Sequence, residues 1–339
     1  MRTPLRLAAV LGTAAACAAA LAGCGSSASS TTSAAASPGG SSAPSAPSPT
    51  ATAFPMRVTA GNGAVTIAAR PARIVSLSPT ATEDLYAVGA GGQVVAVDQD
   101  SNYPAGVPKT SLSGLTPNIE AIARYNPSLV IAAQNSGGLV AGLAKLGVPV
   151  LIEPAVTTLA GAYDQIEQIG QATGHAGQAV TVVSGMKKQI AAEVLRTGGP
   201  TDLSYYWELS ANPFYSATSA TFIGQLVGLF GLTNIADQAD KPADGGYPEL
   251  SQEYIVTARP QIIFLADNEP ADGGQTPAVV DKRPGWSAIP AVQDDDVVAL
   301  NDDIASRWGP RIPELVAEIG QAVEQVVKRR AAAQRTTGS

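Results

Sequence analysis

The sequence predicts an α/β protein: two Rossmann-like lobes with mainly parallel sheets, joined by one long helix, with a ligand cleft between the lobes. Three observations predict it. The stretch Ile119-Glu120-Ala121-Ile122-Ala123-Arg124-Tyr125-Asn126-Pro127-Ser128-Leu129-Val130-Ile131 is matched later by Gln252-Glu253-Tyr254-Ile255-Val256-Thr257-Ala258-Arg259-Pro260-Gln261-Ile262-Ile263-Phe264. In each copy a Glu opens a short helix, a proline ends it, and an apolar β-rich run follows. Between the copies, His175 to Arg196 reads as one uninterrupted helix, with apolar residues at Ala179, Val182, Val183, Met186, Ile190 and Val194. That spacing puts them on one face. Strand and helix signals alternate on both sides of it, the pattern of a parallel sheet.

The bridging helix is bounded by Gly174 before it and Gly198-Gly199-Pro200 after it, and at 1.5 Å per residue it is roughly 30 Å long. It divides the chain into an N-terminal lobe over 56–174, an interdomain helix over 175–196 and a C-terminal lobe over 197–339.

The first residues are of another kind. Arg2 and Arg6 precede an apolar run from Leu7 to Leu21, too short and too rich in alanine for a membrane span. With Leu21-Ala22-Gly23-Cys24 this predicts a lipoprotein signal peptide over 1–23 and a lipid on Cys24. Residues 24–55 carry that cysteine and an uncharged run of Ser, Ala, Thr, Pro and Gly that cannot bury enough apolar surface to fold. It is expected to be a disordered tether of roughly 30 Å mean reach. The expected location is therefore extracytoplasmic, at the outer face of the cell membrane. Cys17 falls in the segment removed, leaving no pair for a disulfide.

In the first lobe, Met56 to Thr59 and Val65 to Ile67 read as a hairpin. Arg73 to Ser78 is a strand running into a helix that ends at Gly89, with Thr80 or Thr82 as N-cap and Glu83 and Asp84 in the first turn. Strands over Gln93–Asp98, Ser128–Ala133 and Val148–Glu153 complete the sheet. The hydroxyls of Ser78 and Thr80 face the carboxyl end of the sheet, where open α/β sheets bind ligands, or else only cap the helix; the loop carrying Tyr103 and the stretch Gln134-Asn135-Ser136-Gly137 also follow strand ends. In the second lobe, Leu203 to Leu209 is a strand with an aromatic centre, and proline, a hydroxyl cap, a helix and Gly231 follow in the order of the first lobe. Strands over Ile262–Ala266 and Val297–Leu300, an irregular loop from Asp302 to Arg311 and a helix from Pro313 to Val327 close the chain, with a frayed tail after Arg329.

The net charge of −7 argues against nucleic acid. There is no nucleophile elbow, no phosphate loop and no GxGxxG after a strand, so no enzyme is expected. The lone His175 reads as a solvated helix-start residue, and one histidine argues against a free zinc or manganese site, which needs clustered His and carboxylate ligands. The runs Asp294-Asp295-Asp296 and Asp302-Asp303 read as solvated loops. No cofactor or bound metal is expected. A hydrolase on an α/β scaffold and a ligand-free scaffolding lipoprotein are the competing readings.

Taken in order, RIVSLSPTATEDLYAVG, NIEAIARYNPSLVIA, SQEYIVTARPQIIFL and RWGPRIPELV resemble the substrate-binding proteins of iron-siderophore and cobalamin ABC importers. The resemblance implies two lobes held by a rigid helix, small closure on binding, and a monomer that captures a metal chelate and delivers it to a permease. It also implies that Glu120 and Glu253, one per lobe, dock on that permease. By the same resemblance the chelate would be lined by Ser78, Pro79, Tyr103, Asn135, Trp207, Phe214, Tyr247, Arg307 and Trp308. Arg307 is the one well-placed cation, which favours a neutral or weakly charged chelate, cobalamin or a hydroxamate, over anionic catecholates or citrates.

Overall fold

The structure is a computed structural model that describes residues 53–198, 201–269 and 274–337. The expected signal peptide, Cys24 and all but the last few residues of the expected tether lie outside the described residues. A hairpin comes first, β1 (Met56–Ala60) with β2 (Gly63–Ile67). Gly63 turns it with φ of +92°, a conformation that glycine takes without a Cβ clash.

The first lobe then runs β3 (Ile74–Leu77), α1 (Pro79–Ala87), β4 (Val94–Val97), α2 (Ile119–Ala123), β5 (Leu129–Ala132), α3 (Leu139–Ala144) and β6 (Val150–Ile152). Helix α4 (Leu159–Thr173) leads through Gly174 into α5 (Ala176–Arg196). The second lobe runs β7 (Ser204–Glu208), β8 (Ser210–Ala211), β9 (Phe214–Tyr215), α6 (Phe222–Gly228), β10 (Thr233–Asn234), β11 (Glu249–Leu250), α7 (Gln252–Ala258) and β12 (Ile262–Leu265). It closes with α8 (Pro277–Val280), α9 (Pro290–Gln293), β13 (Val297–Ala299), α10 (Asp302–Ala305) and α11 (Ile312–Thr337).

Both main sheets are parallel, ordered β4-β3-β5-β6 in the first lobe and β10-β7-β12-β13 in the second. Numbered within each lobe, the order is the same, second-first-third-fourth. The matched segments fall on equivalent elements, α2–β5 and α7–β12. In both, the residue before the proline is left-handed, Asn126 at φ 46° and Arg259 at φ 49°. Three short strands, β8, β9 and β11, form a small antiparallel sheet that the first lobe does not have.

Side-chain alternation along the strands divides the interior into three cores. Ile74, Leu129, Ile131, Tyr205, Trp207, Ile262 and Phe264 point into a central core that also takes Ala179, Val183, Met186 and Ile190 of α5 and Leu315, Val316 and Ile319 of α11. The opposite strand faces pack outward, Val75, Leu77 and Val130 under α2 and α3, and Tyr206, Ile263 and Leu265 under α7 and Trp286. The central core is thus common to both lobes. Helix α5 packs on α4 and α11, closely enough that a Cβ on Gly170 would stand 2.3 Å from that of Ala179.

Several sequence expectations change. Helix α1 starts at Pro79, capped by Ser78, whose Oγ accepts from Ala81 N at 3.4 Å. Proline's fixed φ suits the first helical position, so neither Thr80 nor Thr82 is the cap. Glu83 and Asp84 then move into the second turn and are buried, at 2% and 1% exposure. His175 stands before α5 half-buried, with Arg70 Nη2 at 2.9 Å from Nε2 and Thr173 Oγ1 at 3.2 Å from Nδ1. The loop expected over Asp302 to Arg311 contains α10, capped by Asn301. Asp294 and Asp295 are exposed as expected, whereas the other acids of the runs are used internally: Asp296 takes a two-pronged bond from Arg329 at 2.7 and 2.8 Å, and Asp302 accepts from Asn268 N and Glu269 N. Anchored by that Arg329 bond, α11 continues to Thr337 where a frayed tail was expected.

Candidate functional site

A cavity of about 650 Å³ opens between the lobes. Its first wall is built at the ends of three adjacent strands: Leu77 closing β3 with Ser78, Pro79 and Thr80 after it, Asp98, Gln99, Asp100 and Asn102 after β4, and Ala133 and Gln134 after β5. Strands β4 and β5 flank β3 on either side, so this is the switch point of the sheet, where connections leave in opposite directions and open a crevice. The opposing wall is Glu269, Asp303, Ser306, Arg307 and Trp308 from the second lobe. A second hollow of about 400 Å³ lies at the equivalent switch point there, past β7 and β12, and shares Glu269 with the first.

Polar groups of the first wall are held firmly. Ser101 Oγ donates to Asp98 Oδ1 and stands 2.8 Å from Thr82 Oγ1, which in turn lies 2.8 Å from Ser76 Oγ. Burial raises the Asp98 carboxyl above its usual range, against the lowering effect of the Ser101 hydrogen bond. On the second wall, Arg307 gives its donors away: Nη1 to Glu83 Oε1 at 2.7 Å and Asn102 Oδ1 at 2.8 Å, Nη2 to Asp303 Oδ1 at 2.5 Å. Its side chain is only 8% exposed. The indole nitrogen of Trp308 donates to Gln165 Oε1 at 2.8 Å. With Asp98, Asp100, Glu269 and Asp303 around one paired guanidinium, the cavity presents excess negative charge.

Of the nine residues expected to line a chelate, Ser78, Pro79, Arg307 and Trp308 line this cavity. The expectation that Arg307 supplies a free cation is corrected by its ion pairs. Trp207 is a core residue: alternation along β7 sends it inward, fully buried, with its ring 5.6 Å from that of Phe264. Phe214 packs on Trp286 at 5.7 Å, beneath the Arg283 guanidinium. Asn135 is occupied as a turn acceptor for Val140 N. Tyr103 stands beside the cavity, 42% exposed, with the Arg311 guanidinium 4.2 Å above its ring. Tyr247 is exposed on the second lobe, 46% accessible, and is not among the residues that line the cleft or the second hollow. Sequence reasoning passed over Asp98, Asn102 and Glu269 as wall residues, and Glu83 as the anion behind them.

Glu120 and Glu253 are both exposed, each two positions after a side-chain cap, Asn118 and Ser251. They occupy the same place in two equivalent lobes, at the start of the helix that precedes the third strand. Among the described residues no group of three or more His, Cys, Asp or Glu is placed to hold a metal ion, and no helix is long and apolar enough to cross a membrane.

Two further carboxylates lie beneath the first wall. Burial, then the charges of Glu83 and Glu153, raise Asp84 well above the carboxylate range. Burial alone pushes Glu153, at the end of β6, up to about 8 from an ordinary 4.5. Between those two values the folded chain holds a proton that the unfolded chain has released, so stability falls as pH rises across the window. Glu153→Gln is expected to flatten that slope and to gain on the order of 3 kcal/mol at pH 8. Urea unfolding at pH 5 and pH 8 measures it, and a wild-type slope in the variant would refute the assignment.

Comparison with known proteins resolves what such a cleft belongs to. A family model described as periplasmic binding protein matches residues 74–304. The chain belongs to this family. It is 32% identical over 280 residues to an ABC transporter substrate-binding lipoprotein of Bacillus subtilis, YvrC, covering 80% of this chain and 86% of that one. It is 30% identical over 289 residues to a cobalamin-binding protein of Halobacterium salinarum, covering 83% of this chain and 77% of the relative. The crystal structure of the periplasmic vitamin B12-binding protein of Vibrio cholerae superposes with a TM-score of 0.64 at 27% identity, covering 76% of this chain and 99% of that chain. The two-lobed α/β architecture with its long bridging helix is the architecture of this family, and its members are substrate-binding proteins of ABC importers.

Proposed function

We propose that the chain is a lipid-anchored capture protein of an ABC importer, that it holds a metal chelate in the 650 Å³ cleft, and that the chelate is a corrinoid such as cobalamin. The observation that carries this reading is the cavity formed jointly by the strand ends of one lobe and the 303–308 segment of the other. Its volume falls in the range of about 300 to 1,000 Å³ usual for small-molecule sites. The charge of its walls supports the choice among chelates. Asp98, Asp100 and Glu269 repel an anion, and Arg307 is already neutralised by Glu83 and Asp303. A neutral corrinoid meets no such penalty and gains from contact with the Trp308 indole and Leu115, which is 71% exposed at the cavity. The relatives named for cobalamin favour this over a surface hydrolase.

Lipidation of Cys24 would keep the body at the membrane. Glu120 and Glu253 would each meet a basic group of the permease. Trp207 and Trp286 are fully buried, so Trp308 is the tryptophan that a ligand can reach. Titration of the protein with cyanocobalamin is expected to quench Trp308 emission, a ferric tris-catecholate to bind at least tenfold more weakly, and ferric hydroxamates and haem to test the remaining classes. Quenching by the catecholate and not by cyanocobalamin would reverse the choice of ligand. No response to any of them would remove the capture reading.

A further inference from the structure

The segment from Asp303 to Arg311 leaves the second lobe and spends nearly all of its polar groups on the first. Arg311 grips Glu83 with two prongs, Nε to Oε2 at 2.8 Å and Nη2 to Oε1 at 2.6 Å, while Arg307 Nη1 reaches the same Oε1 at 2.7 Å. Asn102 Nδ2 donates to Asp303 Oδ2 at 2.7 Å. Gly309 lies against Thr80 and Asp84, where a Cβ would come 3.3 Å from Asp84 Oδ1. Glu83 is the hub: its side chain is 1% exposed, and among the described residues it is the anion that pairs with both arginines. Glu83 itself lines no part of the cavity, yet Arg307, Trp308, Asp303 and Asn102 all do. The wall that would touch the ligand and the clasp that joins the lobes are therefore made of the same residues.

We infer that Glu83 is a positioning residue of the cleft: by holding Arg307 and Arg311 it fixes the lobe separation and the Trp308 wall before any ligand arrives. A charge-assisted, two-pronged grip has a defined geometry as well as strength, and Glu83 holds Arg311 through both prongs while sharing Arg307 with Asn102 and Asp303. A preset cleft binds without first having to select a minor conformation, and affinity falls by the fraction of molecules in which the wall is out of place. The inference rests on the cleft being the binding site, but its first readout needs no ligand.

The test uses Glu83→Gln, which withdraws the charge, and the double variant Glu83→Met with Arg311→Met. The double variant removes the hub and one grip together, leaving no lone buried charge, and so keeps the fold if the single variant loses it. In the ligand-free full chain, acrylamide quenching of Trp308 is expected to rise at least twofold in every variant that retains a cooperative thermal melt. With cyanocobalamin as probe, the apparent association rate is expected to fall about tenfold while the dissociation rate changes little, because fewer molecules present the wall in place. A natively melting double variant with wild-type quenching would overturn the clasp. A wild type that takes up no cyanocobalamin would overturn the corrinoid reading instead, and the ligand-free quenching would then decide the clasp by itself.

Discussion

Reversing both exposed acids, Glu120→Arg with Glu253→Arg, is expected to leave cyanocobalamin affinity within twofold of wild type and to lower cellular uptake on the order of a hundredfold. Both side chains lie at helix starts outside the cavity, so neither substitution touches a group that the ligand would meet. The loss would come from docking. Like charges brought together at an interface cost several kcal/mol, and each 1.4 kcal/mol is about tenfold in an equilibrium. The equivalent placement of the two acids gives each lobe one contact, so a single reversal is expected to cost less than the pair. Uptake of labelled cobalamin in cells that depend on this protein, measured beside in vitro binding, separates the two effects. Undiminished uptake by the double variant would remove the docking role of these residues.

Arg283→Met is expected to destabilise the fold by about 3 to 5 kcal/mol. Arg283 meets Glu208 through both prongs at 2.6 Å and donates to Gln275 Oε1 at 2.7 Å, and its guanidinium lies 4.4 Å over the Trp286 ring. Glu208 is completely buried at the end of β7. Removing the arginine leaves that buried carboxylate without its counter-charge and facing Asp267, whereas replacing both partners, Arg283→Met with Glu208→Leu, removes the stranded charge and should recover most of the loss. Because the central core contains residues of both lobes, the melt is expected to remain a single transition, lowered by roughly 10 °C in the single variant. Differential scanning calorimetry of both variants measures this. Equal losses in both would mean that the packing of the arginine stem, and not its charge, is what β7 requires.

How much of this was legible in sequence depended on the range over which each feature is set. The duplicated Glu-helix, proline and strand are local, and they fell on α2–β5 and α7–β12 as expected. The bridging helix was legible because its apolar spacing repeats over many turns, and Ala179, Val183, Met186 and Ile190 are its buried face. Trp207 was misplaced because alternation along a strand says that neighbours face opposite ways without saying which way leads to the cleft. Tyr205 and Trp207 share the face turned to the central core, and Tyr206 takes the other.

Glu83 shows the other limit. In sequence it is one more acid near a helix start, with nothing to separate it from Asp84 beside it. Its partners lie 224 and 228 positions away, and no local pattern encodes a pairing at that distance. The same pairing turned Arg307 from an available cation into a neutralised one, and so decided the charge of the cleft. By itself the sequence determined two similar halves, the helix between them and the two exposed acids, because each follows from periodicity or capping within a few turns. Only the tertiary structure decided which strand faces meet in the shared core and which buried charges find each other, because burial and ion pairing depend on what the rest of the chain brings alongside.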